Sequence, residues 1–166
     1  MTDVLSRLTE IGPPLTSEAI SLFEQETKRP IPEPYKALLL RVNGGQLPGT
    51  ATVFRYRLPG GKEVEGALRA LLGIDAPHEF RDLRHHLELY AAPARIPMDL
   101  YPVGTDYGGN LVLMGFTGPR LGRMYFWEHE LEAPEGEPPA ERNVFFLAED
   151  LESFLKGLKP LLVLED

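Results

Sequence analysis

The stretch LYPVGTDYGGNLVLMGFTGPRLGRMYFW, residues 100–127, decides the fold class of this chain. It contains three short apolar runs, at 100–104, 111–116 and 121–127. Glycine-containing turns separate these runs, at 106–110 and 117–119. Connections this short join antiparallel neighbours, so we predict a β-meander over this part of the chain.

The first third of the chain has the periodicity of helices. We predict a short helix before the break at residues 12–14 and a second over about 17–28, with Thr16 as its N-cap. A third helix has Pro34 in its first turn, a position that suits proline. Its core-facing stripe has the spacing i, i+3, i+4 and i+7: Tyr35, Leu38, Leu39 and Val42. The stripe of the first helix comprises Val4, Leu5, Leu8 and Ile11.

The middle and the end of the chain add strands and two further helices. The predicted strands are 51–58, 64–74 and 143–147. Residues 79–90 predict a helix whose apolar face comprises Phe80, Leu83, Leu87 and Tyr90. A C-terminal helix has a stripe formed by Leu147, Leu151, Phe154, Leu155 and Leu158. Helices at both ends of a mostly antiparallel sheet predict an α+β fold, as a single domain over residues 1–166.

Composition and charge narrow the classes of function. The chain has 166 residues, no cysteine and a formal net charge of −8. Phosphate contacts need Lys and Arg, so this net negative charge argues against nucleic-acid binding and suits a basic protein partner better. The favoured interpretation of the charge alone is an ordinary soluble bacterial protein. The lack of cysteine excludes disulfides and thiolate chemistry. Because the sequence has neither a membrane-span run nor a visible secretory signal, we expect a cytoplasmic protein with no membrane partner.

Residues 128–141 are the strongest anomaly of the sequence, with six glutamates and no lysine or arginine. Pro134, Pro138 and Pro139 stiffen the segment and keep it out of a sheet interior. One interpretation is an acidic arm that docks a basic surface of a partner. The other is a solvated loop whose charge aids solubility, and it is favoured because charge runs on loops are common. The candidate partner contacts are Glu128, Glu130, Glu132, Glu135, Glu137 and Glu141.

Two glycine-containing turns are further candidates. Asn43-Gly44-Gly45 lacks the preceding strand and following helix of a phosphate loop, so we interpret it as the end of the third helix. In the turn at 106–110, glycine supplies positive φ and Asp106 is expected to bond its own backbone. Tyr107 in that turn is a candidate aromatic anchor for a partner, or an ordinary turn residue.

The histidines and acids do not combine into a predicted metal site. On a continuing strand, the two glutamates that flank His129 face the side opposite to its ring. His78, Asp82 and His86 fall at i, i+4 and i+8 of the predicted helix. The outer two would lie roughly 12 Å apart along the axis, too far to share one zinc ion. We therefore predict neither a metal nor a cofactor.

Several phrases follow one another along the chain: Pro32-Glu-Pro-Tyr35, Asn43-Gly-Gly45, Asp106-Tyr-Gly-Gly-Asn110, Tyr125-Phe-Trp127 and Phe154-Leu155. In this order they resemble the SMI1/KNR4 family of the SUKH superfamily. The resemblance covers about residues 15–158 and is weakest over 50–97. The aromatic triplet is expected to lie mainly in the core, with one ring partly exposed as a partner contact. The signature residues are interpreted as structural: Pro32, Tyr35, Asn43, Gly44, Gly45, Asp106, Gly108, Gly109, Asn110, Trp127 and Phe154.

The resemblance implies an α+β fold with no established catalytic activity. Bacterial members resemble immunity proteins, so the expected function is a non-catalytic module that binds and neutralises a toxin, here a basic toxin domain. The alternative is a regulatory or scaffold protein with several protein partners, as the fungal relatives resemble. A hydrolase that uses paired carboxylates is favoured least, because no Ser/His/Asp set or glutamate pair has a recognisable setting.

Overall fold

The computed structural model describes residues 3–161, and within them it contains seven strands and four α-helices. The strands are β1 (Gly45–Gln46), β2 (Val53–Arg57), β3 (Glu63–Leu71), β4 (Leu100–Asp106), β5 (Leu111–Gly115), β6 (Met124–Trp127) and β7 (Val144–Ala148). The helices are α1 (Ser17–Thr27), α2 (Glu33–Arg41), α3 (Leu83–His86) and α4 (Leu151–Lys156). None of these helices has the length and apolar character that a membrane crossing needs. The predicted α+β class is confirmed.

The strands form an antiparallel sheet in the order β1-β3-β4-β5-β6-β7, with β2 also paired to β3. Strands β4, β5 and β6 pair in chain order, which confirms the predicted meander, and β7 pairs with β6 as the next strand. The long strand β3 pairs with β2 along its first half and with β1 at its end. The rings of Tyr56 on β2 and Phe145 on β7 lie 5.1 Å apart although these strands are not paired. The sheet therefore curls until its two sides approach each other.

The first two α-helices begin where the sequence predicts. The hydroxyl of Thr16 accepts a hydrogen bond from the backbone N–H of Ala19 at 3.1 Å, which caps α1. In α2 the predicted stripe is buried at Tyr35, Leu38 and Leu39, and Tyr35 has no exposed surface. Val42, its fourth predicted member, is half-buried and extended, because α2 ends at Arg41. The Tyr35 hydroxyl donates to the carbonyls of Leu72 and Val103, and burial raises its pKa. These contacts fix α2 against the end of β3 and the middle of β4.

The predicted first helix is wrong beyond its first turn. A 3₁₀ turn at Asp3–Arg7 buries Val4 and Leu5, whereas Ile11 is exposed. The backbone of Thr9 pairs with that of Gln46, and the two N–H···O bonds measure 3.1 and 2.8 Å. This pairing requires extended chain at Thr9, so the helix cannot continue to residue 11.

The predicted helix over 79–90 is also wrong as a single element. It consists of a 3₁₀ turn at Glu79–Arg81, then α3, then a π turn at Leu87–Ala91. Asp82 is extended because it forms a parallel β-bridge with Gly73. The backbone N–H of Leu83 donates a hydrogen bond to the carbonyl of Gly73 at 2.8 Å. The i, i+4, i+8 row of His78, Asp82 and His86 therefore does not lie on one helix.

The C-terminal helix is shorter than its predicted stripe. Leu147 belongs to β7, and α4 begins at Leu151. The carboxylate of Asp150 accepts a hydrogen bond from the N–H of Ser153 at 2.7 Å, so Asp150 is the N-cap. The predicted stripe therefore included Leu147, a residue of strand β7, together with residues of the helix.

Candidate functional site

The turn after β4 is organised by the carboxylate of Asp106. Its Oδ1 accepts hydrogen bonds from the backbone N–H groups of Gly108 and Asn110, both at 2.8 Å. Its Oδ2 accepts one from the side-chain amide of Asn110, also at 2.8 Å. Gly109 has a φ of +86°, a conformation that favours glycine, whereas Gly108 has no positive φ. The predicted bonding of Asp106 to its own turn is present, and one of the two glycines supplies the positive φ.

This turn holds Tyr107 on the surface, with 66% of the residue exposed. The Tyr107 ring centre lies 5.1 Å from the guanidinium carbon of Arg69. The same carbon lies 3.9 Å from the ring centre of Phe80. Cation–π contacts of this kind contribute about 0.5–1 kcal/mol at exposed sites. Tyr107 is therefore positioned by Arg69 while most of its surface stays accessible.

The acidic arm, residues 128–141, begins beside this turn. Oδ1 of Asn110 accepts from the backbone N–H of His129 at 2.9 Å and from its ring Nδ1 at 2.6 Å. Since that oxygen is an acceptor, Nδ1 of His129 carries the hydrogen. Strand β6 ends at Trp127, and His129–Leu131 is a 3₁₀ turn instead of a continuing strand. The structure thus joins two separate sequence candidates, the Tyr107 turn and the acidic arm, in one face.

Arginines from outside the arm hold its first half. Arg95 and Glu132 form a two-point ion pair, with Nε–Oε2 at 3.1 Å and Nη2–Oε1 at 2.9 Å. Arg142 donates from Nε to the carbonyl of Leu131 at 3.0 Å. Two-point arginine–carboxylate pairs are the stronger geometry for such contacts. Glu132 therefore serves as an anchor of the arm.

Arg120 holds the far end of the arm. It pairs through Nη1 with Oε2 of Glu141 at 2.8 Å and through Nη2 with Oδ1 of Asp99 at 2.7 Å. The hydrogen bonds from Arg120 lower the pKa of Asp99. Glu141 is thereby tied to the body of the protein and, like Glu132, is committed to an internal contact.

The remaining glutamates of the arm differ in exposure. Glu128 is half-buried, and its charge adds to the effect of burial in raising the pKa of Tyr56. Glu130, Glu135 and Glu137 are exposed. Their carboxylates form no hydrogen bond or ion pair with any residue in the span 3–161. Of the six glutamates that the sequence groups together, these three present free charge to solvent.

A cleft of about 300 Å³ lies between the Tyr107 turn and α3, and Arg69 lines it. Arg69 is half-buried, and its Nε is buried without a hydrogen-bond acceptor. A buried donor left unpaired costs about 1–3 kcal/mol, so this arginine requires an explanation. The sequence pattern predicts an apolar strand over 64–74, and Arg69 is not among the predicted site residues. A positively charged residue within that predicted apolar strand is the sequence feature that could have identified it.

His86 lines the same cleft. Its Nδ1 lies 2.8 Å from the carbonyl oxygen of Asp82, so Nδ1 carries a hydrogen and donates it. Burial lowers the pKa of His86, which favours the neutral ring. The ring also stacks on Tyr90, with the centroids 5.8 Å apart. His86 is therefore a neutral, fixed part of the cleft wall.

Asn43-Gly44-Gly45 lies in the interior. The Asn43 amide donates to the carbonyls of Pro13 at 2.9 Å and Ile74 at 2.7 Å, and its Oδ1 accepts from the N–H of Ile74 at 2.7 Å. Gly44 has a φ of +66°, and a Cβ there would lie 2.7 Å from the backbone nitrogen of Gly73. The segment follows the end of α2, as predicted. The sequence did not reveal that it also joins three parts of the chain.

The eleven signature residues fall into two groups by burial. The buried group comprises Pro32, Tyr35, Asn43, Gly44, Gly45, Trp127 and Phe154. The exposed or half-buried group comprises Asp106, Gly108, Gly109 and Asn110, all in the turn that carries Tyr107. Tyr125, Phe126 and Trp127 are all buried, so the expectation that one ring of this triplet is partly exposed is wrong. Trp127 has no exposed surface, and its ring lies 5.5 Å from that of Tyr90. One part of the signature therefore lies in the core, and the other forms the candidate site.

Comparison with known families and proteins gives one match. A model of the SMI1 / KNR4 family (SUKH-1) matches residues 14–157. No curated protein and no solved structure matches the chain. The family match extends from before α1 to the end of α4 and includes both groups of signature residues. The chain therefore belongs to the SMI1/KNR4 family (SUKH-1).

Proposed function

We propose that this protein is a non-catalytic immunity module that neutralises a toxin by binding a basic surface of it. Family membership supports this proposal, because the SMI1/KNR4 family is generally non-enzymatic and its members are immunity-like or regulatory modules. A regulatory protein with several partners remains the alternative. Immunity is favoured because most of the formal net charge of −8 comes from the six glutamates of this one arm, which suits one basic partner.

The observation that carries the proposal is the state of the acidic arm. Glu130, Glu135 and Glu137 are exposed and have no partner within residues 3–161. Arg95 and Arg120 hold the arm through two-point and bridging ion pairs. A charged segment that is already ordered loses less conformational freedom when a partner binds. The arm is thus a prepared acidic surface for a basic partner.

Binding would combine this charge with an aromatic contact. Opposite charge on the two proteins raises the rate of encounter, and Tyr107 supplies an exposed ring of the kind found at interface hot spots. An interface of standard size, about 1,600 Å² in total, would cover the toxin surface beneath the arm. The toxin would then be blocked by occlusion, without any chemical step. A cytoplasmic location and a single domain over residues 1–166 remain predictions.

The test measures association with a basic toxin domain encoded beside this gene. The variant E135Q/E137Q removes two free charges from the arm. The control E18Q/D75N removes two exposed charges from outside the arm, and neither of those residues has an ion pair or hydrogen bond through its carboxylate within residues 3–161. At low salt we expect the arm variant to associate about fivefold more slowly than the wild type, and the control to stay near the wild type. The measurement is stopped-flow or biosensor kinetics at two salt concentrations.

Different failures contradict different parts of the proposal. Equal effects of the two double variants would show that the arm has no special role in docking. If the wild-type protein neither binds such a toxin nor rescues cells that express it, the immunity function is wrong. Binding to several non-toxin proteins under the same conditions would support the regulatory alternative.

A further inference from the structure

The cleft beside the Tyr107 turn contains Arg69, an arginine that pairs with no glutamate of the acidic arm. Within residues 3–161, the Arg69 side chain makes ring contacts but no hydrogen bond and no ion pair. Its Nε is buried without an acceptor. The other described arginines that are partly or fully buried each donate to an oxygen: Arg29, Arg81, Arg84, Arg95 and Arg120. Arg69 therefore stands out as a fixed cation that lacks an acceptor.

The two rings beside Arg69 prepare its guanidinium for a planar acceptor. Phe80 lies 3.9 Å and Tyr107 5.1 Å from the guanidinium carbon, measured to the ring centres. Contact with aromatic rings leaves the N–H groups at the guanidinium edge unused. A guanidinium presents these groups as a rigid fork that matches a carboxylate at two points. The ligand class that this geometry fits is an oxyanion with two oxygens in one plane.

The charge of the lining selects a monoanion over a dianion. Among residues 3–161, Arg69 is the only lysine or arginine that lines the cleft, whereas Glu79 and Asp106 line it with negative charge. His86 adds no positive charge at neutral pH, because burial favours its neutral form. The carboxylate of Asp106 is taken up by three hydrogen bonds within its own turn, and Glu79 is exposed to solvent. Arg69 is therefore left to pair with one carboxylate, and the two acids disfavour a doubly charged phosphate.

The size and position of the cleft fit one side chain of a protein. Its volume of about 300 Å³ lies at the lower limit for small-molecule sites. Asn110 lines the cleft and is hydrogen bonded to His129 at the start of the acidic arm. A protein bound along the arm would therefore have its surface next to the cleft opening. If that protein carried an acidic side chain among its basic residues, it could contact the acidic arm and the cleft at the same time.

We propose that the cleft binds the carboxylate of an aspartate or glutamate side chain of the protein partner, with Arg69 as its pairing group and Phe80 and Tyr107 as positioning residues. This inference rests on the proposed function for the identity of the partner. It adds a second, oppositely charged contact to the acidic arm. A partner surface that is basic throughout would satisfy the arm but leave Arg69 unpaired, so the cleft confers specificity.

The first test uses small probes and the full-length protein. Acetyl-aspartate N-methylamide is titrated into ¹⁵N-labelled protein, and the Nε–Hε signal of Arg69 is followed by NMR. Acetyl-asparagine N-methylamide is the uncharged probe of the same shape, and inorganic phosphate tests the other oxyanion class. We expect saturable, millimolar binding of the aspartate probe, with at least about tenfold weaker binding of the asparagine probe and of phosphate.

Two variants separate recognition from folding. R69M keeps the hydrophobic stem against the rings and removes the fork, so the aspartate probe should no longer bind. R41M is the matched control, since Arg41 is exposed and its side chain has no hydrogen bond or ion pair within residues 3–161. If R69M does not fold, R69K retains a charge without the fork and should bind the probe about fivefold more weakly. Y107A alters an exposed residue and should weaken binding about threefold.

The inference is overturned if the Arg69 signal shows no saturable change, or if the asparagine probe or phosphate binds as well as the aspartate probe. It is also overturned if R69M binds a co-encoded toxin as tightly as the wild type does, in which case the proposed function stands. Conversely, carboxylate binding at Arg69 in a protein that binds no toxin would support the cleft and contradict the immunity function.

Discussion

The Asn43 segment and the Asp106 turn contain the same residue types, an Asn or Asp side chain followed by two glycines within three residues. The Asn43 segment is buried, whereas the Asp106 turn lies at the surface. Asn43 is 3% exposed and bonds Pro13 and Ile74, which lie some thirty residues away on either side. Asp106 bonds Gly108 and Asn110 within its own turn. The same hydrogen-bonding chemistry therefore builds a buried junction in one region and a surface platform in the other. The difference arises from burial, which makes an unpaired polar group costly in the first region.

The largest effect is expected from removing the amide of Asn43. N43A leaves the N–H of Ile74 and the carbonyls of Pro13 and Ile74 without their partners. With about 1–3 kcal/mol for each buried orphan, partly relieved by relaxation, we expect a loss of about 3–5 kcal/mol. N110A in the surface turn is the matched change and should cost about 1–2 kcal/mol. Urea unfolding of both variants measures the difference, and equal losses would remove the distinction between the two regions.

Substitution of Gly44 and Gly109 tests the same difference between the Asn43 segment and the Asp106 turn. G44A places a Cβ in a left-handed conformation and 2.7 Å from the backbone nitrogen of Gly73, so we expect a loss of about 2–4 kcal/mol. G109A also meets positive φ, but the nearest atoms belong to His129 at 3.7 Å. Its cost should be limited to about 1–2 kcal/mol of backbone strain. Thermal unfolding compares the pair, and a G109A loss as large as that of G44A would contradict the close packing at Gly44.

Titration of His86 tests the wall of the surface cleft. Burial lowers its pKa from the ordinary 6.5, so the unfolded chain takes up a proton more readily than the folded protein does. This contribution to stability is fully present above about pH 6.5 and is lost as the pH falls towards the lower folded pKa. We therefore expect H86Q to lose less stability than the wild type between about pH 7.5 and about pH 5.5. Parallel pH dependence of the two proteins in urea unfolding would show that His86 is not the titrating group.

The smallest effects are expected in the acidic arm. E132Q weakens the two-point pair with Arg95 and should cost about 0.5–1 kcal/mol. E135Q removes an exposed charge that has no partner within residues 3–161, so stability should change by less than about 0.5 kcal/mol. Hydrogen exchange over residues 128–141 should rise in E132Q alone. A rise in E135Q as well would mean that the exposed charges, too, help to order the arm.

The sequence predicted elements well where one local pattern decided them. Thr16 caps α1, the stripe from Tyr35 to Leu39 is buried, and the meander from β4 to β6 follows its turns. It failed where a distant strand competed with local periodicity. Thr9 pairs with Gln46 and Gly73 bridges Asp82, and each pairing interrupts a predicted helix. Apolar spacing carries no information about such long-range backbone bonds, so these errors could not be seen in the sequence.

At the candidate site, too, the sequence identified local features but not the contacts between distant residues. The sequence identified the arm and Tyr107 separately, from composition and turn chemistry. It did not show that Asn110 and His129 join them, or that Arg95 and Arg120 take up Glu132 and Glu141. Arg69 is not among the predicted site residues, because its defining property is that its Nε lacks a hydrogen-bond acceptor. That property depends on which residues of other elements surround it.

The sequence alone determined the fold class, the meander, the position of the acidic segment and membership in the family, because each depends on residue types in a local order. Tertiary structure decided which glutamates remain free, which turn is buried and where an arginine lacks an oxygen acceptor. Charge and hydrogen-bonding capacity belong to single residues. Whether they are satisfied depends on neighbours that folding brings from elsewhere in the chain.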